Sequence, residues 1–175
     1  MLHEITLHQQ KVSVWCEFHA GGVIRPYFFV DENNRHVMVY GVRYRAMLED
    51  FFWPELDGLD ISDMWFQQDG ATSHSAGQTI DLLKGKFGNR LISRNGPVEW
   101  PPRSCDSLAF FLIVLPKSKV HANNPTLEEL KNNIEREIAN ISADMCERVI
   151  ENWIQRIDRC RRARGDHMND VEFHT

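Results

Sequence analysis

An aspartate at the end of a hydrophobic run is the residue of this chain best placed to do chemistry. The stretch Trp65–Ser75 reads WFQQDGATSHS, so Asp69 follows two bulky apolar side chains and two glutamines and precedes small, polar residues. An ionised carboxylate is costly to place among apolar groups unless something pairs with it. Two arrangements satisfy it. Asp69 can cap the following loop by accepting hydrogen bonds from the Gly70–Thr72 backbone, or it can hold a positively charged partner such as a metal ion.

A second candidate is the run QRIDRCRRARG, which sets Arg156, Arg159, Arg161, Arg162 and Arg164 within nine residues. Such a run either contacts phosphates or forms a solvated helix end whose cations complement the C-terminal dipole. His19, His36, His74 and His121, with Cys16, Cys105, Cys146 and Cys160, show no zinc-ligand spacing and no CxxC pair. Neither a zinc site nor a nucleophile set is expected from them, and a reduced intracellular compartment is the simpler reading of the cysteines.

The elements that must position Asp69 follow from the hydrophobic period. Val12, Val14, Cys16 and Phe18 alternate with polar or larger neighbours, which predicts a strand with one face more buried. Ala20–Gly22 turns the chain and Val23–Val30 reads as a second strand, with an edge or a bulge at Pro26. Asp31–Asn34 is a turn. From Val42 the period becomes helical through Tyr44, Met47, Leu48, Phe51 and Phe52, and Pro54 is expected to end the element. DMWFQQD is too short for a helix and reads as a buried strand with Asp69 at its C-terminal end. Ser75–Phe87 is predicted helical, with Ala76, Ile80, Leu83 and Phe87 on one stripe and Gly88 as the stop. RLIS reads as another short strand, and RNGPVEWPPRSCD as a loop.

The last third is predicted helical. Thr126 and Glu129 form a capping box ahead of Leu127, Leu130, Ile134, Ile138 and Ile141. A final helix carries Met145, Val149, Trp153, Ile157 and Cys160. The order β-β-α-β-α-β followed by helices implies an α/β fold with a mixed sheet covered by helices. In open α/β sheets ligands sit at the C-terminal ends of strands, which is where Asp69 falls.

The chain has 175 residues, enough for one domain with a real core, and its composition of 42% hydrophobic and 26% charged residues is that of a globular protein. No apolar run approaches a membrane span, and MLHEITLHQQ reads as no signal peptide. Net charge is 20 − 25 = −5. A self-sufficient DNA-binding domain is usually basic, so any DNA contact runs through a local patch such as the arginine run.

Together, VSVWCEFHAGGVIRPYFF, VYGVRYRAML, MWFQQDGATSHSA, WPPRSCD and RVIENWIQRIDRCRRARGDHMND resemble the catalytic domain of mariner-type (DDE/D) transposases of arthropod transposable elements. The similarity runs from Val12 to Thr175, and QQDGAT.H followed by WPPRSCD is its most specific part. The resemblance implies a ribonuclease H-like fold, a nuclear location, DNA as partner, and three carboxylates holding two Mg²⁺ or Mn²⁺ ions. Two such ions, about 3.5–4 Å apart, stabilise the attacking and leaving oxygens of phosphodiester cleavage. Asp69 matches the second carboxylate, and His74 matches a position usually held by histidine. His74 is either a role-bearing neighbour of the metals or a residue packed over a helix start.

The chain departs from the family in two places. The first carboxylate belongs to a strand upstream of VSVWC, and Glu4 is the only acid in the eleven residues before Val12. The expectation is that this aspartate and its strand are missing, as is the N-terminal helix-turn-helix region. The third carboxylate should follow WPPRSCD in a pattern resembling SCDLTPLDFFLWG. This chain has SCDSLAFFLIVLP, which aligns Ala109 with that carboxylate and leaves Asp106, three residues earlier, as the substitute. Pro116 falls inside the helix expected after Phe110.

Residues 1–175 thus read as one partial, degenerate ribonuclease H-like domain with C-terminal helices appended. The expected function is that of a transposase fragment inactive in DNA cleavage, with weak, non-specific DNA affinity at most and doubtful metal binding. The alternative is a protein–protein interaction or dimerisation module, a possible homodimer, derived from a transposase and built on the two C-terminal amphipathic helices. No small-molecule substrate and no membrane contact are expected.

Overall fold

The computed structural model describes residues 11–100 and 125–162, apart from the side chains of residues 153 and 156–162. The chain starts with a hairpin, β1 (Ser13–His19) and β2 (Gly22–Phe29). Ser13 faces Phe29 and His19 faces Gly22 in an antiparallel ladder. The register slips between Trp15 and Glu17, where Arg25 and Pro26 stand against Cys16 alone. Proline cannot donate to a ladder, so the extra residue lands where an unpaired position is tolerated. The bulge expected at Pro26 is there.

The Asp31–Asn34 turn is held by the Asp31 carboxylate. Its Oδ1 accepts from the backbone N–H groups of Asn33 at 2.9 Å and Arg35 at 2.8 Å. Asn34 sits at φ 61°, a conformation asparagine tolerates better than most residues. A bridge between Val30 and His36 then returns the chain along β2.

The first helix does not stop at Pro54. Helix α1 (Gly41–Met47) runs into a π-helical turn, Leu48–Phe52, and continues as α2 (Trp53–Glu55). Proline lacks the N–H that an α-helix needs and its ring crowds the preceding turn. The wider π-turn just ahead of Pro54 absorbs both, so the helix ends only at Leu56. The expected apolar stripe is nonetheless the buried one: Tyr44, Met47, Leu48 and Phe52 are almost wholly buried.

Three short strands form a separate parallel sheet: β3 (Phe66–Gln67), β4 (Leu91–Ser93) and β5 (Val98–Glu99), in the order β3-β4-β5. Strand β5 lies within the stretch expected to be loop. It pairs because the chain curls tightly after β4, with the Ser93 carbonyl accepting from Gly96 N–H at 3.0 Å and Trp100 N–H at 3.2 Å. Gly96 eases this turn, since a Cβ would lie 3.1 Å from that carbonyl oxygen, a tight contact. The described strands therefore make two small sheets, one antiparallel and one parallel, in a mixed α/β fold.

The helix predicted over Ser75–Phe87 is interrupted. A single turn, α3 (Thr72–Ser75), is followed by Ala76 in extended conformation and then α4 (Gly77–Phe87). The Thr79 hydroxyl donates to the Ser73 carbonyl at 2.9 Å, taking the acceptor that an unbroken helix would use. Ile80, Leu83 and Phe87 are buried as expected, and Gly88 ends the helix at φ 60°.

Two C-terminal helices complete the described chain. In α5 (Leu127–Ala139) both halves of the Thr126–Glu129 capping box form. Leu130, Ile134 and Ile138 are buried. In α6 (Ala143–Arg162) the inward position is Cys146, fully buried, while Met145 remains 37% exposed. Of the expected stripe Met145 thus points outward, while Val149 is half-buried. Ser142 sets this start, its Oγ accepting from the Met145 N–H at 3.2 Å. Trp153, Ile157 and Cys160 lie outside the described side chains.

The hairpin is covered on both faces. Trp15, Ile24, Tyr27 and Phe29 join α1, α4, β3 and β4 in the larger core. Val12, Val14, Cys16, Val23 and Phe28 pack with α5 in a second core. Burial pushes the Cys16 thiol up to about 11, with a further push from the Glu17 charge, so it stays protonated. Among the described residues no helix is long and apolar enough to cross a membrane.

Leu83 has no exposed surface, so Leu83→Ala should cost about 3 kcal/mol in urea unfolding followed by circular dichroism. Thr126→Ala, which removes only a cap, should cost about 1 kcal/mol in the same measurement.

Candidate functional site

The site is built at the C-terminal ends of β3 and β4. Phe66 N–H donates to the Arg90 carbonyl and Gln68 N–H to that of Ile92, at 2.9 and 3.1 Å. This ladder fixes Gln68, whose side chain is only 5% exposed. A buried amide must find partners for its carbonyl and its NH₂. The Tyr44 hydroxyl donates to Gln68 Oε1 at 3.0 Å. Gln68 Nε2 donates to Ser93 Oγ at 2.9 Å and to the His74 carbonyl at 3.0 Å. One side chain thus ties α1, α3 and β4 to β3. Burial raises the Tyr44 pKa far above its ordinary value, which keeps the hydroxyl a donor.

Asp69 is the next residue, where the chain leaves the ladder. Its carboxylate is half exposed. Oδ1 accepts from the Ala71 N–H at 3.0 Å and meets His74 Nδ1 at 2.5 Å. A carboxylate accepts only, so His74 Nδ1 carries the proton of that bond. The imidazole lies on the Tyr44 ring with centroids 4.2 Å apart. The His74 hydrogen bond holds the Asp69 carboxyl below its ordinary value of 3.8; partial burial opposes this, and the Ala71 N–H and the His74 charge add to it.

The rim is basic. The Arg94 side chain, just past β4, lies against Gly70, 3.4 Å from where a Cβ would stand. Asn95 Nδ2 donates to the Ser75 carbonyl at 3.3 Å, joining the β4–β5 turn to α3. Arg45 reaches Thr79 Oγ1 at 3.5 Å over the first turn of α4.

Of the residues singled out from the sequence, the structure brings Asp69 and His74 together. Of the two readings of Asp69 the structure shows the loop cap, through Ala71, and the same Oδ1 also meets the His74 imidazole. Asp106, Ala109, Arg164 and Glu4 lie outside the described residues. Arg156, Arg159, Arg161 and Arg162 sit on the last turns of α6, and their side chains lie outside the description. His19 and His36 serve locally, each Nδ1 accepting a backbone N–H, from Gly21 at 3.1 Å and Ser13 at 3.2 Å. Gln68 and Tyr44 escaped the sequence reading. The signal was available for Gln68, which shares strand parity with buried Phe66 and so points inward.

A two-ion Mg²⁺ site needs several converging oxygen ligands. Among the described residues no three histidine, cysteine or acidic side chains form a group that could hold a metal. Asp69 is a single carboxylate with one oxygen committed, so the described donors do not fit such a site. No protein-family model matches the chain, and no curated protein matches it.

Gln68→Leu should cost about 2 kcal/mol in urea unfolding, because it takes the acceptor from the buried Tyr44 hydroxyl and a donor from Ser93 Oγ. The Asp69 pKa is lower folded than unfolded, so its contribution is present above the ordinary carboxylate range and lost as pH falls through the depressed value. Asp69→Asn should remove that acid-limb contribution, which exposure keeps below about 1 kcal/mol, in unfolding curves taken from pH 6 to pH 2.

Proposed function

We propose that this chain is a remnant of a mariner-type DDE/D transposase catalytic domain, of ribonuclease H-like architecture, that no longer cleaves DNA. The observation that carries the reading is Asp69 itself. It stands at the C-terminal end of a parallel strand, within QQDGATSH, where that family places its second carboxylate. Its partner in the fold is the His74 imidazole, and Ala109 stands where the third carboxylate belongs. Two-metal phosphodiester cleavage requires ligands on both sides of the reacting phosphate. A single carboxylate paired with an imidazole does not supply them.

The remaining activity in this reading is weak DNA contact through the arginine run, in a nuclear setting. The net charge of −5 makes that contact local rather than global.

Supercoiled plasmid incubated with the chain and Mg²⁺ or Mn²⁺ should stay supercoiled. Nicking that disappears on Asp69→Ala would overturn the reading. DNA binding measured across a salt series should weaken steeply. In the double variant Arg161→Ala, Arg162→Ala the slope of log K against log salt should fall by about 1.8, or ~0.9 per lost phosphate contact.

A further inference from the structure

We infer that His74 occupies the place of a divalent cation against Asp69 and holds that carboxylate closed to Mg²⁺ and Mn²⁺. The inference rests on reading Asp69 as the descendant of a metal ligand, and it assigns His74 a metal-excluding role. Each carboxylate oxygen offers about two lone-pair sites. Asp69 Oδ1 has both filled, by the Ala71 N–H and by His74 Nδ1. A metal can then reach only Oδ2, one ligand where Mg²⁺ sites commonly combine carboxylates with further oxygens.

His74 is not free to swing away. Its backbone N–H donates to the Ala71 carbonyl at 3.0 Å, and its own carbonyl accepts from buried Gln68. Its ring packs at a tilt against Tyr44, which is itself buried and bonded to Gln68. Displacing the imidazole therefore means breaking a charge-assisted hydrogen bond and lifting a ring off Tyr44.

The test is amide NMR of the full chain during Mn²⁺ titration, with His74→Phe and Asp69→Asn for comparison. Phenylalanine keeps a ring on Tyr44 and removes the N–H. Paramagnetic broadening of the Gly70 and Ala71 amides should appear in His74→Phe at about tenfold lower Mn²⁺ than in the wild type, the scale of one charge-assisted hydrogen bond. Asp69→Asn should abolish it. Equal broadening of wild type and His74→Phe, lost in Asp69→Asn, overturns the inference. Should His74→Phe fail to fold, the wild-type Asp69 carboxyl ¹³C shift decides. Constancy across millimolar Mg²⁺ supports exclusion, and a saturating shift overturns it. A wild type that binds Mn²⁺ through Asp69 yet leaves plasmid intact defeats the exclusion alone; Asp69-dependent nicking defeats the functional reading beneath it.

Discussion

The burial of one glutamine side chain governs the arrangement around the site. Gln68 sits inside the protein with a carbonyl and an amide group that water cannot reach, and leaving either unpaired costs a large fraction of a small domain's stability. Its three partners come from three different elements: Tyr44 on α1, Ser93 on β4 and the His74 backbone on α3. Satisfying one residue therefore sets the positions of all three relative to β3. Asp69 follows immediately in the chain, so its carboxylate goes where that network sends it. The packing of His74 against Tyr44 is a consequence of the same geometry, because both are already bound to Gln68.

Around this polar centre the apolar packing is layered. The β1–β2 hairpin has a core on each face, one shared with α1, α4 and the parallel sheet, the other with α5. Aromatic side chains dominate the first. Trp15 meets Phe52 edge-on at 5.0 Å, and Phe66 stacks on Phe87 at 5.0 Å. Such contacts add specificity to burial, since rings pack well in few relative orientations. Arg25, in the bulge beside Pro26, reaches across to Glu55 at 2.8 Å and over the Phe51 ring. The irregular point of the hairpin is thereby tied to the irregular helix beyond the π-turn.

The functional reading follows from what Asp69 faces. The carboxylate stands at a strand end and is half exposed. In this fold its nearest partner is an imidazole held on three sides. The described chemistry of the site is thus a carboxylate hydrogen-bonded to an imidazole and to a loop N–H.

The sequence alone determined the elements whose signals are local. The hairpin with its proline bulge, the helical period from Tyr44 to Phe52, the strand before Asp69, the stripe of Ile80, Leu83 and Phe87, and the Thr126 capping box were all legible, because each depends on spacing within a few residues. The tertiary structure decided the rest. Helix α1 passes Pro54 through a π-turn, Ala76 breaks a helix that periodicity would continue, and β5 exists only because β4 offers it an edge. Cys146 rather than Met145 turns inward because the α6 face is chosen by what it packs against. The pairing of Asp69 with His74 belongs to the same class. Five residues of separation permit many geometries, and the shared attachment of both to Gln68, a contact network spanning four elements, selects the one in which His74 meets Asp69.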